Sequence, residues 1–276
     1  MVWHEGPAYD GRLLWAFRGI DMRASMVVAA ALLSAPLLGT VALAAGKIPK
    51  PIAAAVADTS RPATDTERDA ARKPAEMLAF AGVKPGEQIA ELLPGGGYFT
   101  RVLSLTVGSK GHVYALTPPP RPSAGGNAPP PSPIETLAQD SHYGNISVLP
   151  LSALTGDPQS VPKVDLVWTS DNYHDLHNIP NANLAAFNKH VFDALKSGGV
   201  YIVIDHAAAA GHGASDTSTL HRIDPETVKS EVQSVGFKLV GSSDAAHNPD
   251  DPHTAGVRDP SIRFHTDEFA LKFVKP

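Results

Sequence analysis

Glu91-Leu92-Leu93-Pro94-Gly95-Gly96-Gly97-Tyr98-Phe99-Thr100 joins a short apolar run, residues 88–93, to a run with helical spacing, residues 98–107. A strand that ends in glycines and passes straight into a helix brings backbone close to whatever lies above it. It also leaves the first N–H groups of the helix free. The same glycines serve a tight turn that needs positive φ, and both readings stay open on the loop alone. Gly95 and Gly97 match the first two positions of the G-x-G-x-x-G/A dinucleotide fingerprint, but its third position is Thr100, so that fingerprint fails.

Outward from this loop the chain alternates. Strand-like runs lie at 112–116, 146–151, 164–169 and 200–204, and the last, VYIVI, is apolar throughout. Helical runs lie at 134–141 and 183–196, the second ended by Ser197-Gly198-Gly199, and Asp224-Pro225 opens another that runs to Ser234. Such alternation predicts an α/β fold: a doubly wound, mostly parallel sheet with helices on both faces. Two further strands, 238–241 and 269–274, have no helix between them and read as a hairpin with a long loop, giving one antiparallel edge strand. Within that loop Asn248-Pro249-Asp250-Asp251-Pro252-His253 reads as a solvated acidic turn, with a lid as the alternative.

Asp65 is read as the cap of a helix reaching Ala81, kinked or broken at Pro74. Arg61, Arg68, Asp69, Arg72 and Lys73 beside it read as a solvated, ion-paired face. Residues 46–64 read as linker and 118–133 as a loop with polyproline stretches. Residues 26–45, MVVAAALLSAPLLGTVALAA, carry no charge and end in a small-x-small pattern at 42–44. They read as a cleaved export signal that leaves no stable membrane insertion, with an uncleaved anchor as the alternative. Residues 1–21 then read as an upstream extension before Met22, and the product is expected in the periplasm or outside the cell. The domain plan is extension and signal over 1–45, linker over 46–64 and one domain over 65–276.

Composition narrows the function. The 276 residues hold 23 Lys+Arg against 28 Asp+Glu, a net charge of −5, so no basic excess favours nucleic acid. Cysteine is absent, which removes disulfides, thiolate catalysis, iron–sulfur clusters and Cys-ligated zinc together. Nothing in the sequence sets the oligomeric state.

The Glu91-x-x-x-Gly95-x-Gly97 loop, GHVYAL (111–116), DLVW (165–168) and LKSGGVYIVID (195–205) resemble the class I S-adenosylmethionine-dependent methyltransferases. ARKPAEMLAFAGVKPG (71–86), LPGGGYFTRVLS (93–104), NYHDLH (172–177), LHRID (220–224) and TDEFALKFVKP (266–276) are similar to an exported bacterial group of predicted methyltransferases. The likeness covers roughly residues 60–276. It implies a seven-stranded Rossmann-like methyltransferase sheet with an antiparallel last strand and S-adenosyl-L-methionine as cofactor. It also implies cofactor contacts at Glu91, Gly95, Gly96, Gly97, Tyr98 and Thr117, and transfer of a methyl group to a small acceptor. Three departures stand out: Leu93 replaces the first glycine of the usual loop, Thr117 falls where a ribose-binding acid usually ends the second strand, and Leu151-Ser152 fall near the usual adenine-side acid. Arg121 leaves an NADP reading that the failed fingerprint opposes.

The end of the fourth strand carries the catalytic candidates. His174 is expected as the base that takes the acceptor's proton, oriented by Asp171 or Asp175. A merely hydrogen-bonded histidine in a polar loop is the plainer reading. Asp205, His206, His212 and His221 follow the fifth strand and, with His174 and His177, leave a metal site as an alternative, although no ligand set is assigned. The competing function is a small-molecule or metal carrier that keeps the fold without catalysis.

Overall fold

The computed structural model describes residues 47–118, 130–155 and 161–276. The export segment, its cleavage point, Arg121 and most of the proline-rich loop lie outside the described residues.

Seven strands form one sheet: β1 (Gln88–Leu92), β2 (His112–Thr117), β3 (Ile146–Pro150), β4 (Val164–Ser170), β5 (Leu195–His206), β6 (Lys238–Ser243) and β7 (Glu268–Val274). Their order is β3-β2-β1-β4-β5-β7-β6. The first five strands pair in parallel, while β7 is antiparallel to both β5 and β6. The antiparallel strand therefore lies inside the sheet, and β6 forms the edge, which corrects the expected antiparallel edge. The reason is local. β7 is apolar on alternate residues towards both faces, whereas β6 alternates between exposed and half-buried positions and suits an edge.

Both faces are covered. One carries Ile89, Leu166, Trp168 and Ile202 under α1 (Lys50–Val56), α4 (Pro74–Ala81) and α5 (Tyr98–Val107). The other carries Ala90, Val167, Tyr201 and Val203 under α9 (Leu184–Ala194) and α10 (Pro225–Gln233). Successive residues of one strand thus face opposite cores, which is why β4 and β5 are apolar without alternation. The smaller helices are α2 (Ala63–Thr66), α3 (Asp69–Arg72), α6 (Pro133–Ala138), α7 (Ser152–Thr155) and α8 (Tyr173–Leu176). Asp224 caps α10 by accepting from the Glu226 N–H at 2.9 Å, as its sequence predicts. Helix α9 stops at Ala194, earlier than expected, because Leu195 already pairs with Val164 of β4. Among the described residues no helix is long and apolar enough to cross a membrane.

Two segments read as solvent-facing are built into the fold. Residues 47–64, expected as linker, contain α1, whose Ile52 and Ala55 pack into the core beside α5. Asp65 does not cap a long helix; it is buried and accepts from Arg68 at 2.8 Å and Arg101 at 3.0 Å. The expected break falls one residue before Pro74, where Lys73 turns with φ 47°. Arg61 is buried and pairs with Asp69 at 2.7 Å, so the expected ion-paired face holds for the half-buried Arg68, Asp69 and Arg72, while Arg61 belongs to the interior. Asp251 of the expected acidic turn is likewise buried, against Arg222.

Candidate functional site

A cavity of about 530 Å³ opens where the C-terminal ends of β1 and β4 diverge. The strand order reverses between these two, β2 and β3 lying on one side and β5 on the other, which is where open α/β sheets bind ligands. Glu91, Gly95, Gly96 and Tyr98 line it from the β1 side, and Asp171 and His174 from the β4 side. Six of the eight residues singled out by sequence therefore meet in one space.

Gly97 and Thr117 are not part of the lining. A Cβ on Gly97 would lie 2.7 Å from Leu137 Cδ2, and its φ is +84°, so packing of α6 and backbone geometry account for this glycine without a ligand. Gly97→Ala is therefore expected to destabilise the protein by about 1–3 kcal/mol. Gly96→Ala, which meets open space, should melt within a degree or two of the parent. Thermal unfolding of the two variants checks the contrast. The Thr117 hydroxyl donates to the Leu149 carbonyl at 3.4 Å.

Glu91 lies one residue before the end of β1 and is only 3% exposed. Burial pushes its carboxyl from 4.5 up to about 7, against the pull of Thr100, Arg72 and Arg101. Its Oε2 accepts no hydrogen bond of ordinary geometry, although the Thr100 hydroxyl, itself without a partner, is close enough to draw the carboxyl down. Leu93, at the usual glycine position, has φ 52°, a left-handed geometry that explains why glycine suits that place. Asn172 ties the two strand ends together: its Nδ2 donates to the Leu92 carbonyl at 3.1 Å and the Ser170 carbonyl at 2.8 Å, and its Oδ1 accepts from Thr169.

The main partner of His174 is Asp205, which was not among the expected ones, while the expected Asp175 makes a longer contact. His174 Nδ1 donates to Asp205 Oδ1 at 2.8 Å, and its backbone N–H donates to Asp205 Oδ2 at 2.8 Å. Asp205, at the end of β5, is 0% exposed. Burial, the largest single influence, disfavours the imidazolium, but Asp205, Asp175 and Asp171 together outweigh it and lift the His174 pKa to about 9. Asp171 does not orient the ring; Arg72 holds it, together with Ser170. Burial would raise the Asp171 carboxyl, yet Arg72 and His206 hold it below its ordinary value. Arg72 also stacks on Tyr98 and Phe99, with centroid distances of 4.6 and 4.9 Å. Asp175 faces the other edge of the ring, its Oδ1 3.4 Å from His174 Nε2.

Arg72, Ser170, Asn172, His206 and His221 also line the cavity. His206 is held low by burial and Glu268 well high, chiefly by burial and then by Asp171. His221 stands with φ 56° on a segment anchored by the fully buried Arg222. Arg222 donates to the carbonyls of Ala207 and Ala255 at 3.0 Å each and pairs with Asp251 at 2.8 Å. Leu93, Asp171 and His221 are all non-glycine residues in left-handed geometry on the wall of one cavity, and strain of this kind gathers at functional sites. Of these, His206 and His221 were visible as histidines after β5. Arg72 gave no local signal, because its partner Asp171 is 99 residues away.

No protein-family model matches this chain, and no curated protein matches it in sequence. Solved structures do resemble it in fold. A SAM-dependent methyltransferase from Aquifex aeolicus superposes with a TM-score of 0.51 at 16% identity, covering 78% of this chain and 99% of that one. An arsenic(III) S-adenosylmethionine methyltransferase from Chlamydomonas reinhardtii gives 0.50 at 15%, covering 83% and 74%. The [4+2]-cyclase SpnF gives 0.51 at 14%, covering 78% and 82%. The seven-stranded, mostly parallel sheet with an antiparallel last strand is the Rossmann-like methyltransferase fold.

Proposed function

We propose that the protein binds S-adenosyl-L-methionine at the β1–β4 crevice and transfers its methyl group to a small acceptor. The observation that carries this reading is the buried, unpartnered carboxylate oxygen of Glu91 on the cavity wall. A buried acceptor without a donor is costly unless a ligand supplies one. The α-ammonium of S-adenosylmethionine is such a donor, and its charge would return Glu91 to the carboxylate form. Gly95 and Gly96 leave open space above the backbone for the same ligand, and Tyr98 and Phe99 open α5 with free N–H groups. The cofactor, when bound, supplies an electrophilic methyl on a sulfonium. The protein's own part is then alignment and handling of the acceptor's proton.

On this reading the acceptor lies between the methyl group and the β4–β5 ends, where His174 Nε2 faces the cavity while Asp205 fixes Nδ1. Arg72 and Asp171 fix the wall beside it. Binding is testable by melting the full chain with S-adenosylhomocysteine: at about 100 times Kd the ligand should add about 2.7 kcal/mol. No shift at millimolar concentration rejects the reading. The charge-free run 26–45 supports export to the periplasm or beyond, and a mature chain whose mass retains that run would reject it.

A carrier without catalysis is the second reading, favoured by the hydroxyl of Thr117 where an acid would grip the ribose. A carboxylate accepts charge-assisted bonds of about 1.5–3 kcal/mol, against about 0.5–1.5 for a neutral one. Thr117 lies outside the cavity lining, so Thr117→Asp reads how far a bound cofactor extends: S-adenosylmethionine affinity should rise by up to roughly tenfold where the ribose reaches the end of β2, and stay unchanged where it does not.

A further inference from the structure

Three ligand-type atoms on the cavity wall, in mutual hydrogen-bond and ion-pair contact, form a compact triangle. His174 Nε2 lies 3.3 Å from His221 Nδ1 and 3.4 Å from Asp175 Oδ1, and those last two lie 3.7 Å apart. Metal–ligand distances of about 2.0–2.2 Å set the atoms of a tetrahedral zinc site about 3.3–3.6 Å apart. We propose that His174, Asp175 and His221 bind a divalent transition metal, zinc being the best fit, with a fourth position open to the cavity.

The surroundings match what such a site needs. Asp205 accepts from His174 Nδ1 at 2.8 Å, so the lone pair of the neutral ring points from Nε2 towards the triangle. A carboxylate behind a ligating histidine is the usual support for a zinc ligand. His221 comes from a distant loop, in strained left-handed geometry, and Arg222 next to it is locked by three backbone or carboxylate partners. Two imidazoles and one carboxylate select zinc, iron, cobalt or copper over magnesium and calcium, which prefer oxygen. All three ligand residues line the cavity, so the fourth position faces the space assigned above to the acceptor. A ligand oxygen, nitrogen or sulfur placed there would lose its proton more easily. The metal then takes the place of the proton on Nε2, and His174 acts as ligand rather than as free base.

A second group, Asp171, His206 and Glu268, brings its ligand atoms within 4.8 Å of one another. Its members are already engaged: Asp171 by Arg72, and His206 Nδ1 by the Thr266 hydroxyl at 3.0 Å. It carries no proposal.

The test uses the untagged full chain, stripped with chelator and titrated with zinc and, separately, cobalt(II). One zinc per chain is expected, with the intense visible spectrum of four-coordinate cobalt. His221→Asn, which suits left-handed backbone, and Asp175→Asn should each weaken zinc binding by at least a hundredfold. Asp205→Asn should weaken it by roughly 10–100-fold. His212→Asn, an exposed histidine paired only with Asp216, should bind zinc as the parent does. Circular dichroism shows that each variant is folded, and the cobalt spectrum of the parent stands independently of all of them. No zinc at low micromolar concentration, a weak six-coordinate cobalt spectrum, or zinc retained by folded His221→Asn overturns the proposal. Metal binding is independent of the methyl-transfer reading: a chain that binds zinc but no S-adenosylmethionine keeps this site and loses that reading.

Discussion

Glu91→Gln should make the protein more stable and, in the same molecule, remove its cofactor affinity. The carboxyl is lifted from 4.5 to about 7 in the fold, chiefly by burial. A raised acid favours the folded state fully only below its unfolded value, and that advantage is lost as pH rises to the folded value. Above pH 7 the parent therefore carries a penalty of about 3 kcal/mol, at about 1.4 kcal/mol per pH unit. The variant has no such penalty. Its melting temperature should match the parent's near pH 4 and exceed it by roughly 6–12 °C at pH 8. Thermal unfolding across pH 4–8 checks this, and parallel curves for the two proteins would contradict the buried ionisation. A residue whose removal stabilises the fold while abolishing binding is held for its ligand rather than for structure.

Arg222→Leu is expected to cost about 3–5 kcal/mol, because it leaves the Asp251 carboxylate buried and without its cation. Both side chains are fully enclosed and 2.8 Å apart. The loss should appear in urea unfolding, and the double variant Arg222→Leu with Asp251→Leu should recover most of it, since an apolar pair needs no desolvation of charge. The single variant should also loosen His221, its neighbour on the cavity wall. A cost below about 1 kcal/mol would mean that water reaches Asp251 and that the pair is a surface ion pair.

How far the sequence spoke for the structure follows from the range of each interaction. The five parallel strands are apolar runs bounded by turn residues, and the cap at Asp224 is a local pattern, so all are readable within a few residues. Asp171 and His174 were found because strand ends converge in a parallel sheet, and Glu91, Gly95, Gly96 and Tyr98 because the loop after β1 resembles that of the methyltransferases. The pairings were not readable. Arg72 with Asp171, His174 with Asp205 and Arg222 with Asp251 join residues 99, 31 and 29 positions apart. Charged residues are usually exposed, so Arg61, Arg72 and Asp251 look like surface until their partners are placed. The insertion of β7 between β5 and β6 is equally silent, because a hairpin reads the same whichever strand lies outside.

On the proposed function, Glu91 and the glycine loop receive S-adenosylmethionine. Isothermal titration of the full chain with S-adenosylmethionine and S-adenosylhomocysteine, at pH 6 and pH 8, tests it most directly. One saturable site is expected, tighter at pH 8, because the ammonium pairs with ionised Glu91 and binding below pH 7 must first expel a proton. Loss of that site is expected in Glu91→Gln with the fold intact. Absence of binding by the parent at about 1 mM ligand, or equal affinity in parent and Glu91→Gln, would contradict it.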